Sequence, residues 1–271
     1  MSLDHSSAVS LRRSPLDLRF RRARVAGIDV VTPRYRRLRL VGPDLEGFTS
    51  PGADDHVRLI LPGPDGTLVL PHVDPDGNPA LPEGVAPSPS REYTPVAWDP
   101  VAGALELDLV VHDGGLASGW VRDAQVGDEV GVGGPRGSQL VEGTPAWWLL
   151  VGDLTALPAV RRHAAAAGAD AELDVVLLAP SPEDVQDVDL PPGARLRWVV
   201  DPACERGRTE RLVEALHEWS VPGDPAAGFA FVAAEQSVVA PARRHLAAQG
   251  VVTSVVKGYW RTGDTEYHAP H

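Results

Sequence analysis

The amino-acid sequence predicts a two-domain protein in which an antiparallel β-barrel precedes a doubly wound α/β domain with a parallel sheet. From Phe20 to about Val141, short apolar runs are separated by glycine, proline and aspartate, which is typical of antiparallel strands. After Gly143, near-continuous apolar runs alternate with helical periodicity, which indicates βαβ units. We therefore assign residues 1–18 to an N-terminal tail, 19–143 to the barrel and 144–271 to the α/β domain.

The barrel strands are predicted from alternating apolar and polar residues between turns. Gly42-Pro43-Asp44 is one such turn, since it contains the residue types that tight turns require. A short helix is expected over 117–123, and residues 71–90, rich in proline and acids, are expected to form a surface loop. The predicted strands are 24–31, 38–41, 56–61, 68–70, 92–98, 105–112 and 129–132.

The α/β half is predicted to alternate strands and helices in chain order. Its first apolar run, 147–151, contains no charged residue and is expected to be a buried strand. The further strands are predicted at 173–178, 196–200, 229–233 and 251–256. Helices are predicted at 157–167, near Glu183, at 209–219 and at 238–249.

Composition excludes several classes of protein. The formal net charge of −12 argues against a nucleic-acid partner. A single cysteine, Cys204, excludes a disulfide framework and a cysteine-held iron–sulfur cluster. No apolar run approaches the roughly 18 residues of a membrane span, and no secretory signal is evident. Asp54-Asp55-His56 lacks further metal ligands at suitable spacing. We expect a cytoplasmic protein without membrane insertion or a resident metal.

Two stretches of the barrel half are candidate binding sites. Arg91 and Tyr93 are two residues apart in a predicted strand, so they should share a face, with Thr94 next to them. A guanidinium, an aromatic ring and a hydroxyl suit a flavin, although a surface arginine and a packed tyrosine would look the same. The segment from His112 to Trp120 combines a strand end, two glycines and a helix start, where backbone N–H groups can bind a pyrophosphate.

A third glycine-rich stretch, residues 131–137, suggests a dinucleotide fingerprint at first sight. Arg136 occupies the place of its third glycine, however, and no helix follows. We therefore expect a tight turn at the end of the barrel, with Arg136 available to face a cleft.

In the α/β half the candidates follow predicted strands, where open α/β sheets bind their ligands. Asp153 and Thr155 come directly after the first strand, although a plain turn with Thr155 as helix cap is the alternative. Glu235 follows a later strand. The segment Lys257-Gly258-Tyr259-Trp260-Arg261 offers two cations and two aromatic rings after the last strand.

Taken in order, these motifs resemble the siderophore-interacting proteins, which are FAD-dependent ferric-siderophore reductases of the ferredoxin-reductase superfamily. The resemblance extends from about residue 20 to 268. It rests on Asp54-Asp55-His56-Val57-Arg58-Leu59, Arg91-Glu92-Tyr93-Thr94, the segment 112–120, Gly134-Pro135-Arg136-Gly137, Gly152-Asp153 with Thr155-Ala156-Leu157-Pro158, Glu235, and Gly258-Tyr259-Trp260-Arg261 with Gly263.

The resemblance implies FAD in the barrel, NAD(P)H as the electron donor and a ferric siderophore as the acceptor, with Fe(II) released. It assigns FAD binding to Arg91, Tyr93, Thr94, His112, Gly115, Ala117 and Ser118, and the nicotinamide path to Asp153, Thr155 and Glu235. Ferric siderophores are often anionic, so an acidic protein needs local cations to bind one. The candidates are Arg58, Arg136, Lys257 and Arg261, each of which could instead pair with local acids.

Three positions depart from the family pattern. Val96 replaces an arginine beside the flavin motif, Leu116 replaces a proline, and Leu154 replaces a glutamate beside the expected nicotinamide entrance. Three alternatives stay open. One is a flavin reductase serving a protein electron acceptor. Another is a non-catalytic siderophore-binding protein with a decayed flavin site, which Val96 and Leu154 keep open. The third is a structural two-domain protein that binds neither ligand. Both NADH and NADPH remain candidate donors.

Overall fold

Alternating apolar and polar residues form a seven-stranded antiparallel sheet in residues 13–140, the first of two structural units. The computed structural model describes residues 8–264 and residue 267. The strands from the N-terminus to residue 142 are β1 (Ser10–Pro15), β2 (Phe20–Thr32), β3 (Tyr35–Val41), β4 (Val57–Ile60), β5 (His72–Val73), β6 (Pro79–Ala80), β7 (Ser90–Tyr93), β8 (Pro95–Asp99), β9 (Ala104–Val110), β10 (Glu129–Gly133) and β11 (Gly137–Glu142). The helix α1 (Leu116–Asp123) follows β9, and a 3-10 turn spans Pro43–Leu45.

The large sheet has the strand order β7-β4-β10-β2-β3-β9-β8, and each neighbouring pair is antiparallel. Period-two alternation puts one face of each strand into a shared core: Leu38 and Leu40 of β3 are buried there. Arg37, directly before Leu38, points to the other face and makes two hydrogen bonds of 2.8 and 2.9 Å to Asp108 on β9. This half-barrel confirms the predicted antiparallel domain.

Three predictions for this half were wrong in detail. Residues 68–70 form no strand, because the backbone N–H of Val69 donates to Ser88 Oγ at 2.8 Å instead of to a neighbouring strand. The predicted strand 92–98 is split at Thr94, since β7 pairs with β4 and β8 with β9. Part of the predicted tail is ordered: β1 pairs with β11, a strand that the sequence did not predict.

The second unit contains residues 141 onward together with residues 8–12. Its strands are β12 (Trp147–Asp153), β13 (Glu172–Ala179), β14 (Arg195–Val200), β15 (Gly228–Glu235) and β16 (Thr253–Trp260), and its helices are α2 (Leu157–Ala166), α3 (Glu210–His217) and α4 (Val239–Ala248). Three 3-10 turns span Pro182–Asp184, Pro202–Arg206 and Gln236–Val238, so the helix expected near Glu183 is only a turn.

The five strands are parallel in the order β14-β13-β12-β15-β16. The chain therefore builds outward from β12 to β14 and then returns to the other side of β12. This reversal between β12 and β15 defines a doubly wound sheet, in which ligands bind at the carboxyl ends of the two strands where the order reverses. Every residue of β12 and β15 is buried, as expected for central parallel strands.

Gly228, at the start of β15, provides a test of packing in this sheet. A Cβ at this position would lie 2.0 Å from the ring of Trp147. Gly228→Ala should therefore lower the free energy of unfolding by about 1–3 kcal/mol, because the indole has to shift in a packed core. Denaturant unfolding measures the effect. In the same unit, Gly168→Ala meets no described atom within 4 Å, so it should change stability by less than about 0.5 kcal/mol.

Candidate functional site

Strand β7 places the predicted flavin-binding side chains on one face. In its register with β4, Arg91 lies opposite Leu59 and Tyr93 opposite Val57. Directly opposed residues of antiparallel strands share a face, so Arg91 and Tyr93 lie on the face that carries the barrel core. Tyr93 packs against this core, and burial raises the pKa of its hydroxyl. The phenol therefore stays protonated and remains a hydrogen-bond donor.

The segment between β9 and α1 is held by the hydroxyl of Ser118. This hydroxyl donates to the carbonyl of Val110 at 3.2 Å and accepts from the backbone N–H of His112 at 3.1 Å. Gly115 leaves room for two neighbouring side chains, because a Cβ would lie 2.5 Å from the His112 ring and 2.9 Å from Ser118 Oγ. The sequence motif thus shapes the backbone at the start of α1.

The start of α1 fits an anionic group. No described side chain caps it, so the N–H groups of its first turn face outward without a side-chain acceptor. The side chains of Ala117 and Ser118 are buried, and Ala117 belongs to the barrel core. Any contact of these two residues with a cofactor therefore has to come from their backbone N–H groups. Together with the cation of Arg91 and the ring of Tyr93, this donor set suits the pyrophosphate and ring system of FAD.

In the second unit, Asp153 lies at the carboxyl end of β12, where the strand order reverses. Its Oδ1 accepts from the N–H and the hydroxyl of Thr155 at 2.8 and 2.5 Å, and its Oδ2 accepts from Nε1 of Trp260 at 2.8 Å. The backbone amide of Glu235 is a further donor. Burial raises the pKa of Asp153, and these hydrogen bonds oppose the rise. The carboxylate thus ties together the ends of β12, β15 and β16.

Glu235 makes a second such link at the end of β15. Its Oε2 accepts from the N–H of Ser237 at 2.5 Å, and its Oε1 accepts from the N–H of Thr262 at 3.1 Å. Burial by itself raises the pKa of Glu235, but the hydrogen bonds from Ser237 and Thr262 outweigh it, so the pKa is lowered. The structure thus brings together the three residues predicted to border the nicotinamide path. The oxygens of both carboxylates already accept hydrogen bonds within the chain.

The alternative reading of this edge, with Thr155 as the cap of α2, does not hold. The N-cap is Ala156, and the hydroxyl of Thr155 donates to Asp153 instead. The side chain of Leu154 is 4% exposed and therefore buried. The sequence also missed the role of Trp260. The motif contained this residue, but no local signal reveals a partner 107 residues away.

The four cations predicted to bind substrate have different surroundings. Arg58 is paired: its Nη2 donates to Glu92 at 2.8 Å, which is the alternative that the sequence left open. Arg136 is exposed and donates to the side chain of Asn78 at 3.3 Å. Lys257 lies half-buried on β16, and Arg261 is exposed directly after that strand. Arg58 and Arg136 belong to the first unit and the other two to the second.

Within 8–264 and 267, no group of three or more histidine, cysteine or acidic side chains is placed to hold a metal ion. In the same part of the chain, no helix is long and apolar enough to cross a membrane.

An antiparallel flavin-type half-barrel followed by a doubly wound nucleotide-type sheet is the fold of the ferredoxin-reductase-like flavoproteins. The chain belongs to the siderophore-interacting protein family: residues 24–139 match the siderophore-interacting FAD-binding domain, and residues 145–263 match the siderophore-interacting protein family. These matches confirm the predicted family, the predicted fold and the predicted FAD cofactor.

Three known proteins illustrate the similarity. A siderophore utilization protein from T. fusca has a structure with a TM-score of 0.87 and 32% identity, covering 96% of this chain and 99% of that one. An NADPH-dependent ferric-chelate reductase of Escherichia coli is 45% identical over 147 residues, which are 54% of this chain and 57% of that relative. The ferric vibriobactin reductase ViuB of Vibrio cholerae is 29% identical over 248 residues, 88% of this chain and 89% of ViuB.

Removal of the Asp153 carboxylate tests its linking role. Asp153→Ala leaves the donors on Thr155 and Trp260 without their acceptor in a buried place, so stability should fall by roughly 3 kcal/mol. Denaturant unfolding followed by tryptophan fluorescence measures this. Asp224→Ala is the matched control, since its exposed carboxylate accepts only one described hydrogen bond, from Ala226. Equal losses in the two variants would contradict the role of Asp153.

Proposed function

We propose that this protein is a FAD-dependent ferric-siderophore reductase that takes electrons from NAD(P)H and releases Fe(II). The observation that carries this proposal is the combination, within the matched FAD-binding domain, of Arg91 and Tyr93 on one face of β7 with the uncapped start of α1. The names of the E. coli and V. cholerae relatives support the same activity. A cytoplasmic location forms part of the proposal.

In this proposal Arg91 and the first turn of α1 hold the pyrophosphate of FAD, and Tyr93 and Thr94 lie against its flavin ring. Bound FAD supplies the chemistry of accepting a hydride and passing its two electrons on one at a time, as one-electron reduction of Fe(III) requires. The hard oxygen ligands of a siderophore bind Fe(III) more tightly than Fe(II). Reduction of the iron therefore lowers the affinity of the siderophore for its metal. The protein then needs no iron ligand of its own.

The α/β unit is proposed to bind the nucleotide NAD(P)H. The carboxyl ends of β12 and β15, at the reversal of strand order, are the place where such sheets bind dinucleotides. Asp153 and Glu235 fix the loops there through hydrogen bonds to Thr155, Trp260 and Thr262. Asp153 and Glu235 therefore contribute to nucleotide binding by fixing the shape of this sheet edge. Thr155 lies next to this edge.

A visible spectrum of the purified protein tests the proposal directly. We expect a bound-flavin spectrum that bleaches anaerobically with NADPH or NADH and recovers when a ferric siderophore is added. If the flavin spectrum recovers only when a protein electron carrier is added, the protein is a flavin reductase and not a siderophore reductase. A protein that takes up no FAD yet binds ferric siderophore would overturn the proposal in favour of a binding protein.

Lys257 on β16 and Arg261, directly after that strand, are proposed to attract anionic chelates. Lys257→Ala and Arg261→Ala should each lower kcat/KM for an anionic ferric siderophore by about 10-fold at low salt. FAD affinity and the rate with a neutral chelate should stay unchanged. Arg58→Gln is the matched control, because its guanidinium is already paired with Glu92. Steady-state reduction at several ionic strengths measures the effect, and equal rates of all variants with the anionic chelate would disprove it.

A further inference from the structure

The β5–β6 hairpin, residues 72–80, lies beside one of the candidate substrate-binding cations. Its two short strands pair antiparallel, and Asn78 lies in the turn between them. The side-chain Oδ1 of Asn78 accepts a hydrogen bond from Nη2 of Arg136 at 3.3 Å. The hairpin comes from the proline-rich, acidic stretch that the sequence marked only as a surface loop, so its position next to Arg136 calls for a function.

The backbone on both sides of Arg136 is fixed by bonds within the same unit. The carbonyl of Arg136 accepts from the N–H of Leu16 at 3.1 Å. Two residues earlier, the carbonyl of Gly134 accepts from Nη1 of the buried Arg21 at 2.8 Å. The guanidinium of Arg136 is exposed, and the hydrogen bond to Asn78 directs it.

The turn of the hairpin places a carboxylate close to this contact. Oδ1 of Asp74 accepts from the N–H of Asp76 at 2.9 Å and from the N–H of Asn78 at 2.8 Å. The N–H of Asp74 also donates to the carbonyl of Asn78 at 2.9 Å, which closes the turn. Because Asp76 and Asn78 bond to the same oxygen, they lie within one compact turn.

The carboxylate of Asp76 is exposed and carries a charge that is not neutralised locally. Within residues 8–264 and 267 it has no hydrogen-bond or ion-pair partner. A negative charge beside Arg136 lowers the positive potential there, and the resulting energy scales with the charge of the molecule that approaches. A chelate with several negative charges is therefore penalised strongly, and a neutral chelate is not.

We infer that the β5–β6 hairpin selects substrates by charge: Asn78 positions Arg136 for the chelate, and Asp76 disfavours ferric chelates with several negative charges relative to neutral ones. Asn78 is a positioning residue, because it acts through Arg136. The inference rests on the proposed function, in which a ferric chelate is the electron acceptor.

Two synthetic ferric tris-hydroxamates with the same iron-binding groups test the role of charge. One is neutral, and the other carries carboxylates remote from the iron, so the iron centres are chemically alike. Asp76→Asn should raise kcat/KM for the anionic chelate relative to the neutral one by about 5-fold at low salt. This gain should vanish near 1 M salt, where the Debye length is about 3 Å. Asn78→Asp should change the ratio in the opposite direction, because it places a carboxylate on the guanidinium of Arg136.

Asn78→Ala tests the positioning role. It should raise KM for the anionic chelate by about 3-fold, as expected for loss of one hydrogen bond, with kcat unchanged. In protein that already carries Arg136→Gln, the same substitution should have no further effect on KM. A rise in KM that persists without Arg136 would contradict the positioning role.

Glu46→Gln is the matched control for Asp76→Asn. It removes the same charge from an exposed residue of the same unit, beside the turn at Gly103, and should leave the ratio unchanged. Thermal unfolding followed by circular dichroism checks that each variant is folded. An unchanged ratio in Asp76→Asn, or an equal gain in Glu46→Gln, would overturn the inference. A wild-type protein that reduces neither chelate would overturn the proposed function itself.

Discussion

A buried carboxylate must have hydrogen-bond donors, and this requirement organises the nucleotide side of the molecule. Asp153 is 7% exposed at the carboxyl end of the central strand β12. Leaving such a group unpaired would cost several kcal/mol. Its donors come from Thr155, Trp260 and the backbone of Glu235, so three strand ends are drawn to one place. The edge that an α/β sheet uses for ligands is thereby given a fixed shape.

A corresponding constraint acts in the barrel, where the end of β9 and the start of α1 share the hydroxyl of Ser118. One side chain fixes the turn, and Gly115 leaves room for the His112 ring beside it. The first N–H groups of the helix are then left for an external acceptor. In both units, therefore, polar side chains within the chain shape the backbone at the places where the cofactors are proposed to bind.

The sequence predicted the fold class and most elements because both rest on local periodicity. Arg91 and Tyr93 could be assigned to one face because alternation along a strand is a local rule. Contacts between residues that are far apart in the sequence could not be predicted in this way. The bond between Asp153 and Trp260, the pairing of β1 with β11 and the salt bridge between Arg58 and Glu92 depend on which segments meet in space. Val69 shows the same effect. Its apolar neighbours favour a strand, but its backbone N–H donates to Ser88 Oγ and not to a neighbouring strand.

The turn 63–67 has a consequence for the order in which the barrel folds. Its hydrogen bonds join Gly63 to Thr67 and Thr67 to Asp65, residues that are at most four positions apart in the sequence. Contacts between residues so close in sequence form faster than pairings between distant strands. The turn can therefore form before the antiparallel strand pairs on either side of it, and it brings together the chain that they have to align.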